Sequence, residues 1–186
     1  DVVNNETFWG NKKYALTLGI KKAVNEHLIF IDADCEPASN QWLKIISQPL
    51  QNDTTIVLGY SGYHKVKNSL LNALIRFETA LAAIQYLGYA FRGNPYMGVG
   101  RNLAYTSKQF YDVSGFMSHM KVMGGDDDLF VNEAATKNNT AVVLDPDAFT
   151  VSTPKTNWKK WWIQKKRHIS TSKRYKLKHK LSLGIF

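Results

Sequence analysis

The stretch Leu28-Ile29-Phe30-Ile31-Asp32-Ala33-Asp34 decides the fold, because an apolar run here ends in two carboxylates. Four consecutive apolar residues are typical of a parallel strand that is buried on both faces. The apolar residues between Ala15 and Val24 recur at helical spacing and predict a helix over about 13–25. A helix followed by a buried strand is half of a parallel βαβ unit, so the sequence predicts an α/β fold.

Helical and strand patterns alternate along the rest of the chain. The sequence predicts helices over 42–50, 70–91, 107–113 and 129–137, and strands over 56–63, 99–105 and 141–144. This alternation indicates a mostly parallel sheet flanked by helices. We expect a body over 1–154 that is followed by a basic, amphipathic helical tail over 155–186.

Positive charge is concentrated in that tail. The 186 residues carry a formal net charge of +9, and the eleven Lys and Arg of 155–186 are accompanied by no Asp or Glu. The remaining thirteen basic and fifteen acidic residues leave 1–154 slightly acidic. Such a basic block meets phosphate, either on nucleic acid or on anionic lipid, and net charge alone does not choose between the two.

Asp32 and Asp34 follow the apolar run, at the edge of an α/β sheet where ligands bind. Mg²⁺ commonly takes one or two carboxylates and completes its octahedron with substrate phosphates and water. On an extended strand residues i and i+2 are about 6.6 Å apart, so one carboxylate would bind a metal and the other a water or a ribose hydroxyl. A polar loop without a ligand is the alternative.

A second acidic cluster, Gly125-Asp126-Asp127-Asp128, follows Gly124. An Asp before Leu129 could cap a helix, which would explain one of the three acids. Adjacent carboxylates raise one another's pKa, and a carboxylate of raised pKa in a cleft can act as a general base. The alternative is a capped helix start with solvated charges.

The third cluster, Gln164-Lys165-Lys166-Arg167-His168, lies in the tail among three tryptophans. At helical spacing Trp158, Trp161 and Lys165 share one face. The planar guanidinium of Arg167 matches phosphate oxygens, so it could clamp a diphosphate. A cationic amphipathic helix without chemistry is the alternative.

In this order the stretches resemble family 2 glycosyltransferases of the GT-A fold, from about Gly10 to His179. Residues 11–20 are similar to the helix before the family's metal strand, and 31–34 to its Asp-x-Asp strand end. Residues 98–105 with 115–116 resemble the acceptor-side segment, and Asp126-Asp127 resembles the acidic pair that contains the base. Residues 164–168 resemble the Gln-x-x-Arg-Trp motif of membrane-bound processive members, with His168 in place of Trp.

The resemblance implies a GT-A-like, Rossmann-related fold and an inverting, metal-dependent transfer of a sugar from a nucleotide-diphosphate sugar to a hydroxyl. It implies that Asp127 is the catalytic base and that Mg²⁺ or Mn²⁺ binds Asp34 and Asp32. The implied donor-binding residues are Asp32, Asp34, Lys12, Gln164, Arg167 and His168. The implied acceptor-side residues are Gly100, Arg101, Asn102 and Asp126.

The implied partners are a UDP-sugar, a sugar or lipid-linked acceptor and an anionic membrane surface, with no nucleic acid. The lysines of 173–180 precede an apolar chain end, as at the cytoplasmic flank of a membrane helix. We therefore expect the cytoplasmic face of the cell membrane, with transmembrane helices outside this chain as the anchor.

The family's opening strand has no counterpart before Asp1, so we expect a catalytic domain truncated at the N-terminus. We accordingly expect weak donor binding and no turnover from this chain alone. Two other hypotheses stay open: a metal-dependent nucleic-acid-processing enzyme that holds phosphates with its basic tail, and an inactive α/β module that binds membranes.

Overall fold

The computed structural model describes residues 11–122 and 124–184. The helices in chain order are α1 (Asn11–Lys22), α2 (Trp42–Ser47), α3 (Leu70–Phe91), α4 (Ser107–Asp112), α5 (Asp128–Ala134), α6 (Trp158–Ser172) and α7 (Leu177–Gly184). The strands are β1 (His27–Phe30), β2 (Cys35–Pro37), β3 (Ile56–Gly59), β4 (Ser61–Tyr63), β5 (Leu103–Thr106), β6 (Thr140–Val143) and β7 (Thr150–Ser152).

The main sheet has four strands in the order β1-β5-β3-β6. Strand β5 is antiparallel to both of its neighbours, whereas β6 is parallel to β3. Strands β1, β3 and β6 therefore run in one direction and β5 runs against them. This confirms the predicted α/β fold, and it shows that the sheet is mixed, because one reversed strand, which local patterning does not reveal, lies between β1 and β3.

A second sheet, in the order β2-β7-β4, is absent from our sequence predictions. Its strands have three residues each, which is too few for an alternating pattern to be recognised. The predicted strand over 56–63 is in fact two strands, β3 and β4, which belong to different sheets. The chain passes from one sheet to the other at Tyr60.

Helix α3 has the predicted bounds. It begins after Ser69, whose hydroxyl accepts a hydrogen bond from the amide of Asn72, and it ends before Gly93, which has a φ of 80°. Its inner face contributes Tyr86 to the core, where the phenol donates to the carbonyl of Gly59 at 2.9 Å. Burying one large side chain of this kind stabilises the fold by about 1.5–3 kcal/mol.

The core centres on Tyr105 of β5. Its ring stacks on Phe30 at 4.3 Å and lies 4.4 Å from the ring of Phe130 on α5. These contacts join β1, β5 and α5, so the two acidic clusters that follow β1 and precede α5 are anchored by one aromatic stack.

Strand β1 is less buried than its four apolar residues predict. Leu28 is buried, Ile29 and Phe30 are half-buried, and Ile31 is exposed beyond the end of the strand. The prediction of a strand buried on both faces is wrong, because β1 is an edge strand of the described sheet and pairs there with β5 alone.

The tail packs on the body. Thr171, Tyr175 and His179 are buried, and the Tyr89 hydroxyl of α3 donates to the carbonyl of Ser182 in α7. The tail is therefore helical, as predicted, and contributes side chains to the same core. None of the helices among the described residues combines the length and the apolar character that crossing a membrane requires.

Candidate active site

The Asp32-Ala33-Asp34 segment forms a tight turn. Strand β1 ends at Phe30, and the amide of Cys35 donates to the carbonyl of Asp32 at 3.0 Å. Our expectation of two carboxylates on an extended strand is therefore wrong, and the separation of about 6.6 Å that an extended strand gives does not apply. Asp34 is exposed and Asp32 is half-buried, so the turn presents both acids at the carboxyl end of β1.

Lys12, in the first turn of α1, joins the first acidic cluster to the second. Its Nζ lies 2.9 Å from Oδ1 of Asp32 and 2.8 Å from Oδ2 of Asp126. Desolvation disfavours the ammonium, but the charges of Asp126 and Asp32 outweigh it and raise the pKa of Lys12. Two clusters that are more than ninety residues apart in sequence thus lie at one edge of the sheet, with a cation between them.

The loop before α5 depends on two glycines in the left-handed region. Gly124 has a φ of 81° and Gly125 a φ of 83°, a conformation that side-chain-bearing residues rarely adopt. A Cβ at Gly125 would also lie 2.6 Å from Cδ1 of Leu129. These glycines turn the chain so that Asp126 and Asp127 point toward α1 and the 98–102 segment.

Asp127 caps α5 and contacts the acceptor-side segment. Its Oδ1 accepts from the amide of Asp128 at 2.8 Å, and its Oδ2 accepts from the amide of Gly100 at 2.8 Å. Gly100 lies between this carboxylate and Lys12, since a Cβ there would be 3.4 Å from Oδ2 of Asp127 and 3.6 Å from Nζ of Lys12. Each carboxylate oxygen still has a lone pair available for a ligand.

The environment of Asp127 makes it a weak acid. Burial raises its pKa to about 7, and the neighbouring charges of Asp126 and Asp128 act in the same direction. The amides of Gly100 and Asp128 oppose the shift without cancelling it. A carboxyl with a pKa near neutrality exchanges a proton readily at physiological pH, which suits a general base.

Asp128 connects this loop to the tail. Its buried carboxylate accepts hydrogen bonds from the hydroxyl of Thr171, near the end of α6, and from the hydroxyl of Tyr175 at 2.9 Å. Its other oxygen accepts from the amide of Leu129 at 2.8 Å. All three acids of the cluster thus have partners within the protein, and capping alone does not account for them.

Glu78 of α3 holds the helix that carries the third cluster. It accepts from the indole of Trp161 at 3.1 Å and pairs with Lys165 at 2.8 Å. The rings of Trp158 and Trp161 lie 5.7 Å apart. The predicted shared face is confirmed: Trp161 and Lys165 contact the body through Glu78, and Trp158 packs on Trp161 with about half of its surface exposed.

Gln164 reaches the second sheet. Its side chain lies close enough to the hydroxyl of Tyr63 on β4 to affect the pKa of that phenol, and the guanidinium of Arg101 lies 4.5 Å from the centre of the Tyr63 ring. Arg101 also donates to the hydroxyl of Ser152 at 3.3 Å, and this hydroxyl lies 2.8 Å from the sulfur of Cys35. Arg101 therefore stands between the turn of the first cluster and the tail.

Arg167 is exposed on α6, whereas His168 lies near enough to Arg101 and Glu78 of the body for their charges to act on its imidazole. Desolvation lowers the pKa of His168 to about 4, and the positive charges of Arg167 and Lys165 contribute, so its imidazole is neutral at physiological pH. Arg167 is exposed, and its guanidinium has no ion pair among residues 11–122 and 124–184. The structure therefore brings Gln164 close to Tyr63 and Arg101 and leaves Arg167 exposed to solvent.

The structure corrects the predicted role of Asn102 on the acceptor side. It is fully buried, and its amide nitrogen donates to the carbonyls of Tyr60 at 2.7 Å and Ala148 at 2.8 Å. Its amide oxygen accepts from the indole of Trp42 at 3.1 Å. With its polar atoms used within the protein, Asn102 joins the two sheets and does not face an acceptor.

The donor set at the turn fits a hard divalent cation. No group of three or more His, Cys, Asp or Glu within the described part of the chain is arranged to enclose a metal. Asp34 and Asp32 offer at most two carboxylates, and the nearby thiol of Cys35 lies 3.7 Å from Oδ1 of Asp34. Two carboxylates completed by phosphates and water are what Mg²⁺ takes in nucleotide sites.

Sequence reasoning missed Tyr63 and Glu78 as parts of this arrangement, and it did not predict the partners of Asp128 in the tail. Glu78 carried a usable signal, because it is the only acid in the apolar helix 70–91 and an isolated acid there requires a partner. Tyr63 carried none, since its three-residue strand has no recognisable pattern. The partners of Asp128 lie more than forty residues away.

A comparison with protein families agrees with this arrangement. The family described as glycosyl transferase family 2 matches residues 2–123, about two thirds of the chain. The match includes α1, the Asp32–Asp34 turn and the Gly100–Arg101 segment, and it ends before Asp126. No curated protein matches the chain. On the strength of the family match, the chain belongs to family 2 of the glycosyltransferases and has the GT-A fold.

Proposed function

We propose that this glycosyltransferase is a metal-dependent, inverting enzyme. It moves a sugar from a UDP-sugar to a hydroxyl of a sugar or lipid-linked acceptor at the cytoplasmic face of the cell membrane. The observation that carries the proposal is the double contact of Lys12 with Asp32 and Asp126, which places the predicted donor turn beside the predicted base. Family membership favours this transfer over nucleic-acid processing.

The donor diphosphate would lie against Lys12 and the turn at Asp32 and Asp34. Mg²⁺ or Mn²⁺ held by Asp34 and Asp32 would neutralise the charge that develops on the leaving diphosphate. Lys12 supports this assignment because its raised pKa keeps the ammonium charged and its side chain is half-exposed. Its two carboxylate contacts hold it in place before the donor binds.

Asp127 would act as the base. Its carboxylate would take the proton of the acceptor hydroxyl while that oxygen forms a bond to the anomeric carbon and the bond to the diphosphate breaks. Attack from the side opposite the leaving group inverts the anomeric configuration. General-base assistance contributes about 10²–10⁴-fold, so in a preparation of the enzyme that turns over, Asp127→Asn should lower kcat by that factor. Turnover close to that of the unsubstituted protein would remove Asp127 from this role.

The tail would complete the donor side. The proximity of Gln164 to Tyr63, whose ring lies against Arg101, supports a donor-side role for its amide. The exposed guanidinium of Arg167 would bind phosphate oxygens, and the neutral ring of His168 would donate a hydrogen bond without adding charge. The remaining tail lysines would bind anionic lipid, each contributing about 1 kcal/mol near the membrane surface.

A thermal-shift experiment tests the donor site. UDP with Mn²⁺ should raise the Tm, because a ligand at 100 times its Kd stabilises the folded state by about 2.7 kcal/mol. Lys12→Met should abolish this shift, whereas Lys44→Met, at an exposed position of α2, should leave it intact. A Tm that responds to RNA or DNA and not to UDP would contradict the proposal.

A further inference from the structure

Helix α3 exposes an unusually apolar outer face. Five large apolar side chains on it are between 46% and 80% exposed. We call them the α3 stripe: Leu70, Phe77, Leu81, Ile84 and Phe91. A few exposed apolar residues are normal on any protein, but a continuous row along one helix marks a surface that binds something.

The α3 stripe is a single face of the helix. Its members are 7, 4, 3 and 7 residues apart, which keeps them on one side at 3.6 residues per turn. The positions between them on that side are small and uncharged: Ala73, Ala80 and Gly88. The opposite face of α3 lies in the core through Ile75, Tyr86 and Leu87. The helix is therefore apolar on both sides, and no described element covers the outer one.

Basic helices lie directly beside the α3 stripe. Glu78 binds Trp161 and Lys165 of α6, and Tyr89 binds the carbonyl of Ser182 in α7. Both helices expose further large apolar side chains, between 51% and 71% accessible: Trp158, Trp162, Ile163, Ile169, Leu177 and Leu181. Segment 155–186 has eleven cationic and no acidic residues. Exposed apolar side chains and a basic segment thus occur together on three neighbouring helices.

We propose that the α3 stripe inserts into the headgroup region of an anionic lipid bilayer, with α6 and α7 bound to the surface beside it. The inference rests on the proposed membrane association. It adds the outer face of α3 to the basic tail as a second part of the membrane-binding surface. The positive charge of the neighbouring helices favours anionic lipid over a second copy of the chain as the partner of the α3 stripe. A second copy of the chain would bring one basic tail against another, whereas anionic lipid supplies both negative phosphates and acyl chains.

The two parts of this surface make separable contributions. Each lysine near an anionic surface raises the partition coefficient of the protein onto the vesicle about fivefold, and high salt removes this contribution. Each large apolar side chain that enters the bilayer interface strengthens it by about tenfold, and salt does not screen this effect. A protein bound by its tail alone would therefore be released from vesicles by salt, whereas one with an inserted α3 stripe would be retained in part.

Vesicle co-sedimentation of the whole chain tests the inference, with vesicles of equal parts phosphatidylcholine and phosphatidylserine. The double variant Phe77→Gln/Ile84→Gln should lower the partition coefficient at least about tenfold. The conservative variant Phe77→Leu/Ile84→Leu should bind as the unsubstituted chain does. The control Leu43→Gln/Leu144→Gln removes two apolar side chains of similar exposure, at 56% and 57%, away from α3, and should also bind normally.

A tail variant, Lys173→Gln/Lys178→Gln, separates this inference from the proposed function. If it loses binding while Phe77→Gln/Ile84→Gln binds normally, the tail alone holds the membrane and the α3 stripe does not insert. If the unsubstituted chain fails to bind these vesicles, membrane association itself is refuted. If the chain dimerises and the Gln variant at the α3 stripe abolishes the dimer, the stripe is a protein interface and the inference is overturned. Circular dichroism and Tm confirm that each variant is folded.

Discussion

The pKa of Asp127 provides the sharpest prediction, and Asp128→Asn is the perturbation that tests it. Burial and two neighbouring carboxylates raise the pKa of Asp127 to about 7. Asn at position 128 has the same shape as Asp and keeps one oxygen that can accept from Thr171 and Tyr175, but its amide nitrogen cannot accept from the amide of Leu129. The substitution removes one of the two like charges beside Asp127, and an unchanged Tm would show that the loop tolerates the loss of the Leu129 bond.

The expected shift follows from the causes of the raised pKa. Charges of neighbouring groups move a carboxyl pKa by about one to three units. Burial is the largest cause here and remains in the variant, while Asp126 keeps its charge and is partly neutralised by Lys12. Removing the charge at 128 should therefore lower the pKa of Asp127 by about one unit. At pH 6 the ionised fraction of Asp127 would rise from about a tenth to about a half.

Carbon-13 NMR of the aspartate carboxyls measures this pKa without any donor or acceptor. One resonance should titrate near pH 7, vanish in Asp127→Asn and move to lower pH in Asp128→Asn. The control Asp53→Asn makes the same change in net charge at an exposed position and should leave that resonance in place. In a transfer assay, the rise of kcat/KM with pH should move to lower pH in Asp128→Asn by the same amount, because the base must be ionised.

Two outcomes would refute the reasoning. If no carboxyl titrates above about pH 5, the site does not desolvate Asp127 enough to make it a base poised near neutrality. If Asp53→Asn and Asp128→Asn shift the resonance equally, overall net charge and not the local carboxylate controls the pKa of Asp127. Either result would remove the electrostatic argument for its role.

Three further predictions concern the scaffold of the site. Asn102→Ala should destabilise the chain by about 2–5 kcal/mol in urea unfolding, since it orphans buried carbonyls and the Trp42 indole; the exposed Asn40→Ala should be neutral. Gly125→Ala should cost at least about 1–3 kcal/mol by the same measurement, because its φ is 83° and a Cβ would clash with α5. Glu78→Gln removes the ion pair with Lys165 and so loosens α6 from α3. Calorimetry should show weaker UDP binding, while the Tm should fall little because such an ion pair contributes little to stability. Unchanged UDP binding would show that α6 does not complete the donor side.

The parts of the fold that could be predicted are those with a strong local pattern. Helix α3 has the bounds expected from its apolar period, and its cap at Ser69 and its end before Gly93 are both local features. The reversed direction of β5 could not be predicted, because the direction of a strand depends on which distant strands pair with it. The second sheet is held by pairs such as Cys35 with Ser152, which are more than a hundred residues apart.

In the candidate site, too, the features with a local sequence pattern could be predicted and those that depend on distant contacts could not. The acids of both clusters could be singled out because carboxylates in a row are costly without a function or a partner. Their convergence could not, since it depends on Lys12 reaching Asp32 and Asp126 from a third element. Asn102 was misassigned for a related reason: a polar residue in a functional segment looks the same in sequence whether it binds a ligand or satisfies buried carbonyls.

The contacts of Asp128 show why the base loop cannot be understood apart from the tail. Thr171 and Tyr175 are the hydroxyls that satisfy its buried carboxylate, and a buried carboxylate without such donors is strongly disfavoured. Asp127 directly precedes Asp128, so the contacts that hold Asp128 also restrain the backbone of Asp127. Since α6 also carries Gln164, the helix that we propose for the donor side also holds the loop of the proposed base. Under this proposal, donor binding on α6 and the alignment of Asp127 are linked through the carboxylate of Asp128.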